Sequence, residues 1–305
     1  MEHLQQRSEL LFLYEIENAN PNGDPMNENR PRFDAEDSTA LVSDVRLKRS
    51  IRDYWYEYKG YNGENGKDIF VRETTYEDKG EQYITSGKRR ADIFKASKEE
   101  VLKSCLDVRV FGGVLPLDKD SYTYTGPTQF QMGRSLHKTE VHTEQGTGAF
   151  ASGDKKKQAT FRTEYKLPYA LIGFNGIINE KAAYYTGMNA DDRSLLLEGI
   201  WEGTKNLISR SKYGQLPLLL LSIQYKEPYQ IGNLRQRLRI QSELHDLSLR
   251  STADYQLDVT ALRAAIKEVA DKIDHIDLRI DPRLQVLADG EALTWTTGKT
   301  DAHGL

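Results

Sequence analysis

The chain has 305 residues, 38% of them hydrophobic and 10% aromatic, which is enough for one large or two ordinary domains with a substantial core. Its net charge of -4, from 42 basic and 46 acidic residues, provides no global attraction to nucleic acid. No apolar run approaches the ~20 residues that span a bilayer, the start Met1-Glu2-His3-Leu4-Gln5 lacks a signal-peptide core, and the single Cys105 excludes an internal disulfide or a thiolate zinc cluster, so a cytoplasmic protein without membrane contact is expected.

Leu10 to Tyr14 is a continuous apolar run bounded by Asn18-Ala19-Asn20-Pro21-Asn22-Gly23-Asp24-Pro25, and reads as a strand buried on both faces. Asn-Gly and Asp-Pro are turn dipeptides, because Asn and Asp bond their own backbone and Gly permits positive φ; the strand therefore stops there and leaves main-chain amides open. A helix follows, with Ser43 as N-cap and Leu47, Ile51, Tyr54, Trp55 and Tyr58 at helical spacing. Lys48, Arg49 and Arg52 occupy an adjacent sector, so this helix is expected to bury its aromatic side and offer three cations to a groove.

Residues 60–105, rich in Gly, Lys and Glu, predict a small helical insertion or flap, and Asp107 to Gly113 predicts a strand. Between Arg134 and Lys166 there are seven Lys or Arg against four acids, a positive segment on an acidic chain. Its Gly-rich centre, Gln145 to Gly153, lies between flanks such as Thr160-Phe161-Arg162-Thr163 that alternate like hairpin arms, which predicts a protruding β-hairpin. His137 and His142 are separated by four residues with no cysteine near, so neither a metal site nor a cofactor is expected.

The second half repeats the order of the first. Tyr169 to Ile178 predicts a strand, Asn189 to Asp192 supplies caps, Leu195 to Tyr213 predicts a helix ended by Gly214, and Leu216 to Ile223 returns as a buried strand. Two β-α-β units give an α+β, ferredoxin-like arrangement shared by RNA-recognition modules and many enzymes. Arg235, Arg237 and Arg239 share one side if extended, which suits subunit or DNA contact, and Asp258 caps a predicted amphipathic helix through Leu262, Ile266, Val269 and Ile273.

The Asn18–Pro25 turn followed by Val42-Ser43-Asp44-Val45-Arg46-Leu47-Lys48-Arg49 resembles the backbone subunit of type I CRISPR effector complexes (Cascade), the Cas seven family, most closely its I-B and I-C branches. Asp107 to Gly113, Gly126 to His137 and Thr186-Gly187-Met188 fit the same family, so the resemblance covers residues 9–225. It implies an RRM-like palm from residues 1–59, 106–133 and 167–305, an inserted helical finger at 60–105, and a hairpin thumb at 134–166. It also implies a non-catalytic subunit that polymerises along CRISPR RNA and presents it for pairing with target DNA. The implied partners are copies of itself, an end-capping homologue, the large PAM-reading subunit, the small subunit and the repeat-processing endonuclease.

Gripping a single strand requires cations for phosphates, donors for sugars and bases, and flat or apolar groups against bases. The resemblance places Ser43, Lys48, Arg49 and Arg52 on the guide backbone; Asn20, Asn22 and Gly23 either bind phosphate or ribose or only fix the turn. Gln129 and Gln131 suit base edges, with an exposed strand face as the alternative, while Arg134 and His137 stand where the sheet feeds the thumb. Phe150, with Met132 as an alternative, is a candidate wedge between bases, and Phe161 lies on the facing arm. A rival reading is a type III-like subunit that cleaves target RNA with a metal-assisted aspartate, for which Asp24, Asp34 and Asp37 are candidates.

Overall fold

The computed structural model describes residues 2–116, 121–151 and 159–304, with 147–151 and 159–161 described by their backbone alone. Its organising element is β1 (Ser8–Ala19), paired antiparallel on one side with the 20-residue β7 (Ala159–Ile178) and on the other with β8 (Gln215–Tyr225). Leu10, Phe12, Tyr14 and Ile16 of β1 enter one hydrophobic core, whereas Leu11 and Leu13 enter a second across the sheet. A strand with both faces covered has no polar face to display, which is why its sequence is an unbroken apolar run.

The other strands of this ten-stranded sheet are β2 (Phe33–Asp34), β3 (Thr39–Val42), β4 (Thr128–Phe130), β5 (Gly133–Ser135), β6 (His142–Ala151), β9 (Ile273–Ile280) and β10 (Gly298–Thr300). Their order is β10-β9-β8-β1-β7-β5-β3-β2, with β4 and β6 also paired to β7. β7 is longer than its neighbour β1: its C-terminal part pairs with β1 from Leu167 onward, and its first residues pair only with β6, from His142↔Lys166 to Ala151↔Ala159.

The helices are α1 (Asp44–Lys59), α2 (Gly87–Asp92), α3 (Lys98–Ser104), α4 (Leu106–Phe111), α5 (Glu180–Thr186), α6 (Ala190–Lys205) and α7 (Thr260–Glu268). α1 starts as expected, with the Ser43 hydroxyl accepting from the Arg46 amide at 3.3 Å, and ends at Gly60 in the left-handed conformation. α6 starts on an Asn189–Asp192 capping box. It packs against α1 closely enough that a Cβ at Gly203 would lie 2.7 Å from the Ser50 carbonyl.

Four expected elements are corrected. Residues 106–111 are helical rather than extended, and a strand begins only at Gly112. The helix puts Leu106 and Val110 in the main core while Val108 enters a small separate core with Phe70, Ala91, Phe94, Val101, Cys105 and Leu115. Strand alternation would put all three on one face. α6 stops at Asn206, whose amide and Nδ2 both donate to the Glu202 carbonyl, so residues 207–213 form a loop and not a last helical turn. Asn233 at φ 51° opens a 3-10 turn over Leu234–Arg237, so Arg235, Arg237 and Arg239 do not share one extended side. The C-terminal helix ends at Glu268; the Asp258 carboxylate accepts from the Thr260 amide at 2.8 Å, but Ile273 already belongs to β9. Among the described residues no helix is long and apolar enough to cross a membrane.

Candidate nucleic-acid interface

The turn after β1 is built into the fold by its asparagines. Asn20 is buried and donates from Nδ2 to the Asn29 carbonyl at 2.7 Å; its Oδ1 is buried with no hydrogen-bond partner among the described residues. The Asn22 Oδ1 accepts from the Ser43 amide at 2.8 Å, so the turn is tied to the first residue before α1. At Gly23 a Cβ would run into the Asn29 side chain. These residues fix the turn, and Asn20 keeps one unused acceptor.

The three cations expected to share a groove have different fates. Lys48 is buried, bridging Asp44 at 3.0 Å and the Gln129 Oε1 at 3.2 Å. Arg52 pairs with Asp107, whose other oxygen accepts the Phe70 amide at 2.7 Å. Only Arg49 is well exposed, in an i,i+4 pair with Asp53. His137 is 5% exposed: its Nδ1 faces the Lys138 carbonyl at 2.8 Å and its Nε2 accepts from the Leu171 amide at 3.2 Å, which fixes the Nδ1–H tautomer. Burial pushes its pKa down, so it is a neutral core residue and not an open ligand. Arg134 is held by Asp34 at 3.0 Å and Asp37 at 3.5 Å. The side chains of Phe150 and Phe161 lie outside the described residues, while Met132 is exposed.

The structure assembles a different cationic surface. Where the base of the β6–β7 hairpin meets the turn and the 207–213 loop, a polar cleft of about 380 Å³ is lined by Asn20, Asn29, Arg162, Tyr165, Lys166 and Arg210, with Glu164 at its floor. Glu164 faces Arg162, Arg210 at 3.0 Å and Lys166 at 3.4 Å, and Lys166 pairs more closely with Glu144 at 2.7 Å, so two carboxylates orient the three cations. The Arg30 guanidinium sits 4.3 Å from the Tyr165 ring centroid and pairs with Glu28 at 3.4 Å, which also accepts the Tyr165 hydroxyl, so the rim is charged and aromatic.

Lys212 is joined to the cleft through Asn20, and Arg46 lies close enough for its charge to act on Lys212. Lys212 donates from Nζ to the Asn20 carbonyl at 2.6 Å and has no carboxylate partner among the described residues; burial, and then the charge of Arg46, bring its pKa down to about 8. The Arg46 Nε is buried without a partner among the described residues, and burial lowers the pKa of this arginine as well. Two desolvated like charges that make no salt bridge among the described residues favour an anion beside them. Nothing in the sequence singles out Arg46, and Arg210 and Lys212 fall inside the helix expected up to Tyr213; the signal present is the basic, small-residue run Ser209-Arg210-Ser211-Lys212.

Comparison with known proteins bears on the family and the fold. The profile of the family described as CRISPR-associated protein Cas7 matches residues 6–260. A curated protein of Haloferax volcanii, named CRISPR-associated protein Cas7, is 32% identical over 308 aligned positions, covering 92% of this chain and 88% of its own length. Among solved structures, a chain of a "CRISPR RNA-guided surveillance complex, pre-nicking" superposes with a TM-score of 0.53 at 12% identity, covering 93% of this chain and 96% of the other. A chain of a "CRISPR RNA-guided surveillance complex" gives 0.51 at 13% identity, with 89% and 87% covered. At such identities the two superpositions speak for the fold.

Proposed function

Because this chain belongs to the CRISPR-associated protein Cas7 family, we propose that it is a non-catalytic backbone subunit that lines up in several copies along a CRISPR RNA in a type I surveillance complex. The RNA is held by its sugar-phosphate backbone, and its bases are left to pair with target DNA. The observation that carries this reading is the pair Arg46 and Lys212: two desolvated cations with no carboxylate partner among the described residues, Lys212 being joined through Asn20 to the cleft whose rim carries Arg30, Arg162, Lys166 and Arg210. A phosphodiester chain supplies the anions that this pair calls for.

The order β8-β1-β7-β5, with α1 and α6 packed together, is that of a β-α-β-β-α-β unit and supports an RRM-like palm. The separate core around Phe94 and Val101 supports a finger within residues 60–105, and the projecting β6–β7 pair supports a thumb. Partners under this reading are CRISPR RNA, target DNA through the guide, further copies of the chain and the other Cascade subunits, acting in the cytoplasm.

The nuclease reading is less well supported. Asp24 accepts the Met26 amide at 3.2 Å and pairs with Arg32 at 3.4 Å, while Asp34 and Asp37 both face Arg134, so each candidate carboxylate is engaged by an arginine. The test is the purified protein. RNA of uniform length should copurify, and Arg162→Ala with Arg210→Ala should weaken binding to unrelated single strands alike and flatten the salt dependence by about 0.7 log unit for each phosphate no longer neutralised. Unchanged affinity and salt slope in the double variant would overturn the assignment.

A further inference from the structure

A second cleft opens at the other end of β7, about 36 Å from Tyr165 at ~3.3 Å per residue, and on the face of the sheet away from α1 and α6. Its volume is about 310 Å³, and its wall carries Gln129, Gln131, Asn175, Gln230 and Asn233. Asn175 alternates along β7 with Phe174, which enters the core beneath α1 and α6, and so points to the opposite face. Glu9 is the one carboxylate in the wall, and it is spent: it accepts the Tyr225 hydroxyl at 2.5 Å and the amides of Ile231 and Gly232 at 2.6 and 2.8 Å, clamping the loop that forms the cleft's lip.

The hydrogen bonds fix which way these carboxamides face. The Arg235 amide donates to Asn175 Oδ1 at 2.9 Å, so Asn175 presents Nδ2 to Gln131 Oε1 at 3.0 Å and leaves the Gln131 Nε2 as an open donor. Gln129 is locked between Lys48 and the Gly126 carbonyl. Among the described residues no partner engages the Gln131 Nε2 or the exposed carboxamides of Gln230 and Asn233. The Arg235 guanidinium, two residues past Asn233, meets only the Gly173 and Met132 carbonyls, at 3.3 and 3.5 Å, among the described residues. Burial and the nearby Arg134 lower its pKa, as for a cation lacking a counter-ion.

We propose that the cleft between Gln131, Gln230 and Asn233 binds one unpaired nucleobase of a single strand, with Arg235 holding the adjacent phosphate. A carboxamide offers a coplanar donor and acceptor that match a base edge. The cleft has no free carboxylate to repel a polynucleotide, and its one uncompensated cation lies to the side, where a backbone runs. The inference rests on the reading of the chain as a nucleic-acid-binding subunit, but it concerns a different face from the Arg46 and Lys212 rim.

The test is a cross-linking map of the full-length protein on a single-stranded RNA with 4-thiouridine at each position in turn, read by mass spectrometry. We expect cross-links in residues 129–132 or 230–235 in addition to those on the rim at 20–30, 162–166 and 209–212. Gln131→Ala with Gln230→Ala, both exposed side chains, should cut the cleft cross-links by about tenfold, as when a base edge is deprived of its hydrogen-bonding partner, and leave the rim cross-links unchanged. Cross-links confined to the rim, or cleft cross-links unmoved by the double variant, would overturn this inference and leave the guide-binding reading standing. A protein that binds no RNA overturns both. The same map with 4-thiothymidine in DNA assigns the source: a cleft signal from RNA alone means a ribonucleotide, and one from DNA means that either strand type fits.

Discussion

Arg52 of α1 donates from Nε to the Asp107 carboxylate at 2.9 Å, and that carboxylate is fully buried. The same group receives the amides of Phe70 and Val71, so one ion pair ties α1 and α4 to the inserted subdomain. A cation that by sequence belongs to a nucleic-acid face is thereby used to hold the fold.

Removing it strands a buried charge. Arg52→Ala should destabilise the protein by about 3 kcal/mol, whereas Arg49→Ala, which breaks only the exposed pair with Asp53, should stay within about 0.5 kcal/mol. Urea denaturation of the two variants decides this. Equal, small losses would mean that Asp107 is satisfied without Arg52.

Lys212 predicts a pH dependence. Its folded pKa of about 8 is below that of an unfolded lysine, so the unfolded chain binds the proton more tightly and this group's contribution to stability rises between pH 8 and the ordinary lysine range. RNA binding has the opposite sign: a phosphate beside Lys212 favours the charged form, so binding takes up a proton above pH 8 and affinity should fall as pH rises from about 8 to about 9.5. Fluorescence titrations over that range should show this decline in the wild type and a flatter profile in Lys212→Met. Identical profiles would remove Lys212 from the interface.

The β6–β7 hairpin beyond Gly146 and Arg162 pairs only with itself among the described residues. Joining these two residues through a two-glycine turn should leave the thermal midpoint of the monomer within a few degrees of the wild type, since a few degrees corresponds to about 1 kcal/mol or less. Assembly of several copies on a long RNA should be lost, as seen by analytical ultracentrifugation. Multi-copy assembly at wild-type stoichiometry would show that the hairpin is not the joining element.

Asp24 distinguishes scaffold from nuclease. Its carboxylate caps the turn and faces Arg32, so Asp24→Asn should cost about 1 kcal/mol or less and leave RNA binding near normal. Incubated with complementary RNA and magnesium or manganese, the wild-type complex should leave the strand intact on a denaturing gel. Regularly spaced cuts that vanish in Asp24→Asn would establish the enzyme.

What the sequence by itself determined is whatever depends on near neighbours. The apolar run of β1, the Asn-Pro-Asn-Gly turn, the Ser43 cap of α1, the Asn189 cap of α6 and the strand from Leu216 onward all stand where pattern and capping chemistry put them, because those rules act over a few residues. The fate of each charge could not be read in that way. Lys48 and Arg52 look like neighbours of Arg49 on a helix surface, yet Arg52 is neutralised by Asp107, 55 residues away, and Lys48, paired locally with Asp44, is also held by Gln129, 81 residues away. Residues 106–111 have the composition of a strand and become a helix because two cores must be filled from opposite sides. Arg46 and Lys212 have no local signature that marks them as a pair. Only the tertiary structure decides which cations are neutralised by a carboxylate and which are left to an anion from outside the chain, because a charge is neutralised by what lies within a few ångströms of it in space, whether near or far along the chain.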